Sequence, residues 1–338
     1  MRKLATVQEI KNVQPIENAD RLEVAQVLGW NVVVGKGVFN SGDKVVFFEI
    51  DSLLPESNPK FSQFQQRSQK EIIVDGKTVK GHVLSTMKLR GVISQGLVMS
   101  LDELDIDKDI EIGTEVTEQI GVFKWEEEIP ETEDIIGHFD TRFAPKTSAI
   151  RAQSLTEYWD EIIQLKWEPT VKIDGTSTTL INDKGKIKIF SRNWELSKDT
   201  ESFIIAEKFG LVEEIRQHEG MAIQFELAGP TVIKNRAKLK ENTPFVFAVW
   251  QNGQKLSRAE WSKKLQNQSV PKLGKDWEPS GTLEEMIEKV EKLRGNITKD
   301  VADEGVVFHI IDENIPQWMD RNANFKIINN KFLIKHGI

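Results

Sequence analysis

The sequence predicts an α+β protein, in which a small β-barrel or sandwich is followed by a larger domain of strands with a few helices. Three observations lead to this prediction. Short β-rich segments separated by turn residues fill residues 4–101, a strongly acidic stretch covers 102–134, and strand-like and helix-like segments alternate from 139 onward. A chain of 338 residues is long enough for two domains, each with its own core.

The N-terminal segments have the composition and spacing of strands. Val, Ile, Phe and Trp are frequent in 22–27, 30–34 and 44–50, and turn residues occupy 35–37 and 41–43 between them. Several short strands at this spacing are typical of a small barrel.

The second domain mixes helical segments with strands. Apolar residues recur at helical spacing in 155–163, and 201–218 and 283–294 are also helix-like. The charge runs at 126–128 and 131–134 are typical of a solvated surface and indicate a linker. The predicted parts are a barrel module, an acidic linker and a second domain, over 1–105, 106–136 and 137–338 respectively.

Composition excludes several classes of function. The net charge of -8 argues against broad electrostatic binding of nucleic acid, although a local basic cleft remains compatible with it. No cysteine is present, which excludes disulfides, thiol nucleophiles and thiolate metal sites. The five histidines lack the spacing of zinc ligands. Without a long apolar run or an N-terminal leader, we expect a soluble intracellular protein that does not bind membranes.

The segment 170–177 gives the first indication of chemistry. Alternate residues of a strand share a face, so Lys172 and Asp174 would point into the same space while Ile173 packs behind them. For this segment alone, a hairpin with an Asp-Gly turn and an exposed lysine is the simpler explanation. Residues further along the chain instead favour a site that holds a phosphate.

Five downstream residues change that balance. Arg192 ends a strand-like segment, Glu226 lies in an apolar one, Phe247 in an aromatic one, Glu304 at the start of another and Lys326 in the last. Each alone is better explained as a solvated charge or a core aromatic. In this order and spacing, and together with Lys172, they resemble the motifs of the covalent nucleotidyltransferases, which include the ATP-dependent ligases and the capping enzymes.

The resemblance implies an adenylyltransferase domain built on antiparallel sheets, with ATP as substrate and Lys172 as the nucleophile that forms lysyl-N-AMP. A lysine attacks only as a free amine, so its usual pKa of about 10.4 must be lowered by neighbouring cations or a metal. The resemblance further implies that Asp174, Glu226 and Glu304 hold Mg²⁺ or Mn²⁺, mainly through its waters.

The resemblance also assigns contacts to ATP. It implies that Lys326 contacts the α-phosphate, Arg192 the ribose or a phosphate, and Arg151 the triphosphate or the nicked end. Phe247 would stack on adenine. The resemblance also implies that Glu226 contacts ATP, and Gly175 would let the backbone approach the nucleotide closely.

Two features of the second domain leave alternatives open. Ligases of this superfamily often have a second lysine two residues after Lys326, where this chain has Ile328; Lys331 or Lys335 could replace it. The basic segment 234–240 suits RNA phosphates through Lys234, Arg236 and Lys238, but a solvated turn explains it equally well.

The N-terminal segments 15–22, 29–30, 41–46 and 51–55 resemble the OB modules of tRNA-binding proteins and of some RNA ligases. OB barrels commonly bind oligonucleotides, although such a barrel can instead serve only to dock on its neighbour.

The order of the two parts indicates which ligase the chain resembles. DNA ligases and capping enzymes carry an OB module after the last motif, whereas here the OB-like part comes first and the sequence ends about a dozen residues past Lys326. This order is similar to the Naegleria-type RNA ligases. The resemblance implies a monomer that seals RNA 3′-OH and 5′-phosphate ends. A capping-type guanylyltransferase, a DNA nick-sealing ligase and a non-catalytic RNA-binding protein are the alternatives.

Overall fold

The computed structural model describes residues 3–64, 69–74, 77–125, 134–312 and 315–338. The chain forms two compact units. The first contains the described part of 1–129 together with 150–160 and 330–338, and the second contains the rest of the described chain up to 329.

The strands of the described chain are β1 Ala5–Pro15, β2 Leu22–Val27, β3 Trp30–Gly35, β4 Lys44–Phe48, β5 Ser52–Pro55, β6 Gln69–Val74, β7 Lys77–Val83, β8 Met87–Leu89, β9 Val92–Ser94, β10 Leu97–Ser100, β11 Phe123–Lys124, β12 Ile135–His138, β13 Ile150–Arg151, β14 Trp167–Lys172, β15 Thr176–Asp183, β16 Lys186–Phe190, β17 Trp194–Leu196, β18 Met221–Ala228, β19 Thr243–Gln251, β20 Gln254–Lys255, β21 Gly305–Ile310 and β22 Asn324–Ile328. The α-helices are α1 Thr117–Ile120, α2 Trp159–Ile162, α3 Glu201–Lys208, α4 Leu211–Arg216, α5 Lys263–Asn267, α6 Leu283–Val290 and α7 Asn330–His336.

The first unit is built on curled antiparallel strands. One sheet has the order β10-β4-β1-β2-β3, a second has the order β11-β5-β7-β6, and β8 pairs with β9. The long strand β1 contains an irregularity between Ile10 and Asn12, which divides its pairing between β4 and β2. Apolar residues of both sheets, including Val46, Phe48 and Leu54, form one core. The predicted small β module is therefore present.

Later parts of the chain complete this unit. The Trp30 indole donates to Ser154 Oγ at 3.1 Å, and the Gln95 side-chain amide donates to Asn330 Oδ1 at 3.1 Å. Residues 150–160 and 330–338 thus belong to the N-terminal unit, whereas the sequence placed them in the second domain.

Part of the predicted linker also belongs to the first unit. Ile106, Val116, Ile120 and Val122 are buried in its core, because they follow β10 closely enough to pack against it. The acidic residues 126–133, which the linker prediction also covers, lie outside the described residues.

The second unit contains a seven-stranded antiparallel sheet with the order β12-β17-β16-β15-β18-β19-β20. Helices α3 and α4 cover one face, where Leu180, Ile223 and Phe203 are buried among other apolar side chains. A further sheet runs in the order β22-β21-β14, and the rings of Phe308 and Phe325 stack at 4.6 Å between their centroids. Within the described part of the chain, no helix is both long and apolar enough to cross a membrane.

Candidate active site

Strand register brings Lys172 beside Glu304. Lys172 ends β14, and its Cα partner on β21 is Gly305, the residue after Glu304. Lys172 Nζ lies 2.7 Å from Glu304 Oε2. A Cβ on Gly305 would lie 2.3 Å from the carbonyl oxygen of Ile327, so only glycine allows β22 to pair this closely with β21.

A short connection between the two sheets brings Glu226 to the same place. Residues 173–175 link β14 to β15, and Ser177 on β15 pairs with Glu226 on β18. A Cβ on Gly175 would lie 2.3 Å from the carbonyl oxygen of Leu227. The sequence predicted that Gly175 serves close approach to the nucleotide; in the structure its missing side chain allows close approach to β18.

Lys172 and Glu226 line an open pocket within the second unit. Five predicted residues line it, namely Lys172, Arg192, Glu226, Phe247 and Lys326. Glu304 is held next to it by its contact with Lys172.

Phe247 reaches the pocket because of a β-bulge. Phe225 pairs with Val246 and Gln224 pairs with Ala248, so Phe247 is the extra residue of β19 at this point. A bulge redirects side chains locally. It leaves Phe247 half-buried in the pocket while Val246 and Ala248 remain in the core.

The charges around Lys172 determine its protonation state. Burial by itself lowers the pKa of Lys172, but the charges of Glu304, Glu226 and Asp174 outweigh burial, so its pKa is raised above the ordinary value. The lysine is therefore an ammonium at neutral pH in this state. The free amine that the predicted chemistry needs requires a change in the surrounding charge.

For the carboxylates, burial raises the pKa instead of lowering it. Burial, followed by the charges of Glu304 and Asp174, raises the pKa of Glu226 to about 7 despite the opposing charges of Lys172 and Arg192. Burial and the charge of Asp174 likewise raise the pKa of Glu304 above its usual range, against the charges of Lys172 and Lys326. Two desolvated carboxylates that repel each other favour the approach of a cation.

The oxygen donors fit a hard divalent cation. Mg²⁺ is commonly held by one or two carboxylates together with waters and substrate phosphates. Glu226 and Glu304 provide such a pair. Among the described residues, no group of three or more acidic, histidine or cysteine side chains is arranged to hold a metal on its own.

Asp174 has a partner that the sequence analysis did not predict. Arg236 Nη1 lies 2.9 Å from Oδ1 and 3.1 Å from Oδ2 of Asp174. Arg236 was expected at the surface as an RNA contact, but the structure buries it, with its side chain 3% exposed, because it pairs with this carboxylate. Its predicted neighbours Lys234 and Lys238 are exposed.

Arg151 lies in the first unit rather than in the lining of this pocket. Its guanidinium is buried, with Nη2 3.7 Å from Asp51 Oδ2 and its centre 5.8 Å from the Trp30 ring centroid. Ile328, at the position of the expected second lysine, is buried, and Lys331 and Lys335 lie on α7 of the first unit.

Sequence reasoning missed several polar residues that line the pocket: Thr147, Ser148, Ser177, His309, Asn322 and Asn324. His309 could have been found by alternation, since it lies two residues after Val307 on β21 and both line the pocket. Burial, then the charges of Lys255 and Arg258, keep the pKa of His309 well below its usual value, so the ring is neutral. Neither of its nitrogens has a hydrogen-bond partner among the described residues.

Family models match both parts of the chain. A model described as an OB-fold domain matches residues 4–101, and a model described as RNA ligase matches residues 165–328. No curated protein matches the sequence.

Solved structures of the Naegleria gruberi RNA ligase resemble the whole chain. Its complex with pyrophosphate is 31% identical with a TM-score of 0.82, and the alignment covers 100% of this chain and 99% of that chain. A lysine-to-alanine variant with ATP and Mn is 31% identical with a TM-score of 0.82, covering 99% of this chain and 98% of that one. A glutamate-to-alanine variant with AMP and Mn is 31% identical with a TM-score of 0.83, covering 99% of each. The matches confirm the predicted order of an OB-like module followed by a nucleotidyltransferase domain.

Proposed function

Because this chain belongs to the ATP-dependent RNA ligases of the Naegleria type, we propose that it joins an RNA 3′-OH to an RNA 5′-phosphate through lysyl-N-AMP and RNA-adenylate intermediates. The observation that carries this proposal is the position of Lys172, whose amine lies in the pocket 2.7 Å from Glu304 and near Glu226, Arg192 and Lys326.

In the first step, Lys172 Nζ loses a proton and attacks the α-phosphorus of ATP. The N–P bond forms as the bond to pyrophosphate breaks. The 5′-phosphate of RNA then displaces the lysine amine and takes the AMP. Finally the neighbouring 3′-OH attacks the phosphorus of the RNA 5′-phosphate, so that the 3′,5′-phosphodiester forms as the bond to AMP breaks and AMP is released.

The chain's own residues support the first step. Glu304 orients the Lys172 amine and is placed to receive its proton. Lys326 and Arg192 supply positive charge for the α-phosphate oxygens and the ribose or phosphate region. Phe247 offers a flat apolar face on which adenine can stack.

Mg²⁺ or Mn²⁺ would be held by Glu226 and Glu304, with Asp174 acting through the ion's waters. Such a cation supplies charge that stabilises the α-phosphate oxygens and favours the neutral lysine amine. The raised pKa values of Lys172, Glu226 and Glu304 support this assignment, because excess negative charge contributes to all three; burial adds to the rise for the two glutamates and opposes it for Lys172.

We assign RNA binding to the OB-like module and to Lys234 and Lys238 at the surface of the second unit. Arg151 is assigned to the triphosphate or the nicked end, Gly175 to the nucleotide-binding segment, and one of Lys331 and Lys335 to the role of the missing second lysine. We likewise propose three sequence domains, over 1–105, 106–136 and 137–338. We also propose that the protein is a monomer and lies inside the cell.

The proposal is tested by incubation with α-labelled ATP and Mn²⁺, followed by denaturing electrophoresis of the native chain and of Lys172→Ala. A covalent label on the native chain alone is expected, because the label requires the Lys172 amine. Lys292→Ala, at an exposed position that does not line the pocket, is the control and should label normally. A label from GTP but not from ATP would indicate a capping-type enzyme, and no label from either would leave a non-catalytic RNA-binding protein.

Sealing assays then separate the substrates. A nick whose 3′-OH strand is RNA should be sealed, whereas sealing that is equally fast when both strands are DNA would indicate a DNA ligase.

A further inference from the structure

The buried side chain of Arg236 pairs with Asp174 beside the nucleophile and has no role in the reaction proposed above. Asp174 is two residues after Lys172, and its charge acts on Lys172, Glu226 and Glu304. Its carboxylate is only 11% exposed. Both of its oxygens accept from Arg236 Nη1, at 2.9 and 3.1 Å. One cation of the second unit therefore fixes the orientation of a carboxylate at the reaction centre.

The loop that carries Arg236 is shaped to present this side chain inward. It connects β18 to β19. Asn235 closes a turn with Leu239, since its Oδ1 accepts from the Leu239 amide at 2.9 Å and its Nδ2 donates to the Leu239 carbonyl at 3.0 Å. Arg236 is buried, whereas Lys234 and Lys238 on either side of it are exposed.

The backbone of this loop is strained. Ile233, Asn235 and Lys238 all have left-handed φ angles, of 41°, 39° and 55°. A β-branched residue such as Ile233 rarely adopts this conformation. Strained loops are maintained only where the surrounding structure requires them, and they cluster at functional sites. A solvated basic turn would not need to retain this strain.

The remaining lone pairs of Asp174 determine what the pair can do. A carboxylate has about four acceptor positions, and Arg236 uses one on each oxygen. The others can still accept from the waters of a hydrated cation. Groups that orient metal-binding carboxylates from behind commonly affect metal affinity nearly as much as the ligands themselves.

We propose that Arg236 is a positioning residue for adenylyl transfer, which holds the Asp174 carboxylate in the orientation that binds the water shell of the divalent cation. The inference rests on the proposed function and adds to it a residue that acts through Asp174. It also replaces surface RNA binding as the role of Arg236.

The test measures metal binding directly. Free Mn²⁺ is followed by electron paramagnetic resonance during titration of the full chain with ATP present, in a Lys172→Met background that cannot react. Arg236→Gln should raise the Mn²⁺ dissociation constant by roughly 10- to 100-fold. Arg236→Lys should recover part of the affinity, because it restores the charge without the planar guanidinium.

Matched variants distinguish this role from a general loss of structure. Lys240→Gln removes one exposed charge from the same loop and should leave Mn²⁺ binding unchanged. Asp174→Asn should weaken binding, and the double variant Asp174→Asn/Arg236→Gln should be no weaker than Asp174→Asn alone, because both residues act on one contact. The double variant also avoids an unpaired buried charge, so it keeps the test valid if Arg236→Gln folds poorly.

Two results would overturn the inference: unchanged Mn²⁺ affinity in folded Arg236→Gln, or fully additive effects of the two substitutions. Labelling of the unsubstituted chain with ATP is measured in parallel. If it fails while Arg236 and Asp174 still control Mn²⁺ binding jointly, the adenylyltransferase proposal is rejected and the role of Arg236 in metal binding remains.

Discussion

Glu226 illustrates how single residues of the site are set by their surroundings. It lies on a strand whose other side chains are mostly apolar, so its charge is desolvated and its pKa is raised to about 7. Lys172 and Arg192 oppose this rise but do not cancel it. The site therefore holds excess negative charge that a cation would relieve.

This carboxylate should make the stability of the protein depend on pH. The folded state binds its proton more tightly than the unfolded state, whose pKa is near the ordinary value of 4.5. The contribution is present below about pH 4.5 and is lost as the pH rises through about 7. At pH 8, Glu226→Gln should thus have a free energy of unfolding up to roughly 3 kcal/mol above that of the native chain, and a higher unfolding temperature. At pH 4.5 the two proteins should unfold at similar temperatures.

Thermal unfolding without metal or nucleotide, from pH 4.5 to 8, checks this expectation. Glu288→Gln, which changes an exposed glutamate on α6, should show no such difference between the two pH values. A Glu226→Gln variant that follows the pH dependence of the native chain would contradict it.

At the scale of elements, close pairing of strands places the catalytic groups. Gly305 lies opposite Lys172 on β14 and Ile328 on β22, so it controls the approach of β22, which carries Lys326. A side chain here would collide with backbone rather than with a flexible side chain.

Gly305→Ala should therefore destabilise the protein by about 1–3 kcal/mol, because a Cβ cannot fit 2.3 Å from the Ile327 carbonyl oxygen. Thermal or denaturant unfolding measures the change. Gly137→Ala on β12 is the matched control, since its nearest contact would be the end of the Glu195 side chain at 3.2 Å. Equal stability of the two variants would show that β22 can shift freely.

The bulge in β19 leads to a second prediction, which concerns ATP binding. Since it directs the Phe247 ring into the pocket, Phe247→Ala should weaken ATP binding by roughly 10- to 100-fold, as expected for loss of one base–aromatic stack. Calorimetry of ATP binding in the Lys172→Met background gives the constant. Phe247→Trp retains a stacking surface and should bind ATP nearly as tightly as a chain with Phe247. If Phe247→Ala binds ATP equally well, adenine does not stack on this ring.

At the scale of the whole molecule, the two units are not consecutive halves of the sequence. Residues 150–160 and 330–338 belong to the N-terminal unit, so deletion of residues 1–129 would remove the packing partners of both segments. Surface substitutions in the full chain are therefore a better test of whether the first unit binds RNA while the second forms lysyl-AMP.

Lys88 and Arg90 provide such a test. They lie at the β8–β9 hairpin, whose turn residues Arg90 and Gly91 both have positive φ angles, and both basic side chains are exposed. If the OB-like module binds RNA, Lys88→Glu/Arg90→Glu should slow RNA sealing, most strongly at low salt, and leave the formation of lysyl-AMP unchanged. Lys108→Glu, at an exposed position of the same unit, is the control. Equal loss of both reactions would argue against a separate RNA-binding role.

The sequence by itself determined much of this protein. The β-rich module and the following domain of strands could be predicted because strand alternation and turn residues are local properties. Lys172, Glu226, Phe247 and Lys326, which line one pocket, were predicted together through the resemblance of their order and spacing to the nucleotidyltransferase motifs. Glu304, which the same resemblance grouped with them, lies beside Lys172.

The tertiary structure alone decided which partners these residues meet. From its sequence alone, a basic segment is predicted to lie at the surface. Only the long-range packing of the chain shows that Arg236 is buried against Asp174. The bulge at Phe247, the contact of Gly175 with β18 and the burial of the His309 ring in the pocket depend on pairing between distant strands. Such pairing is set by the free energy of the whole packed core, which no short stretch of sequence contains.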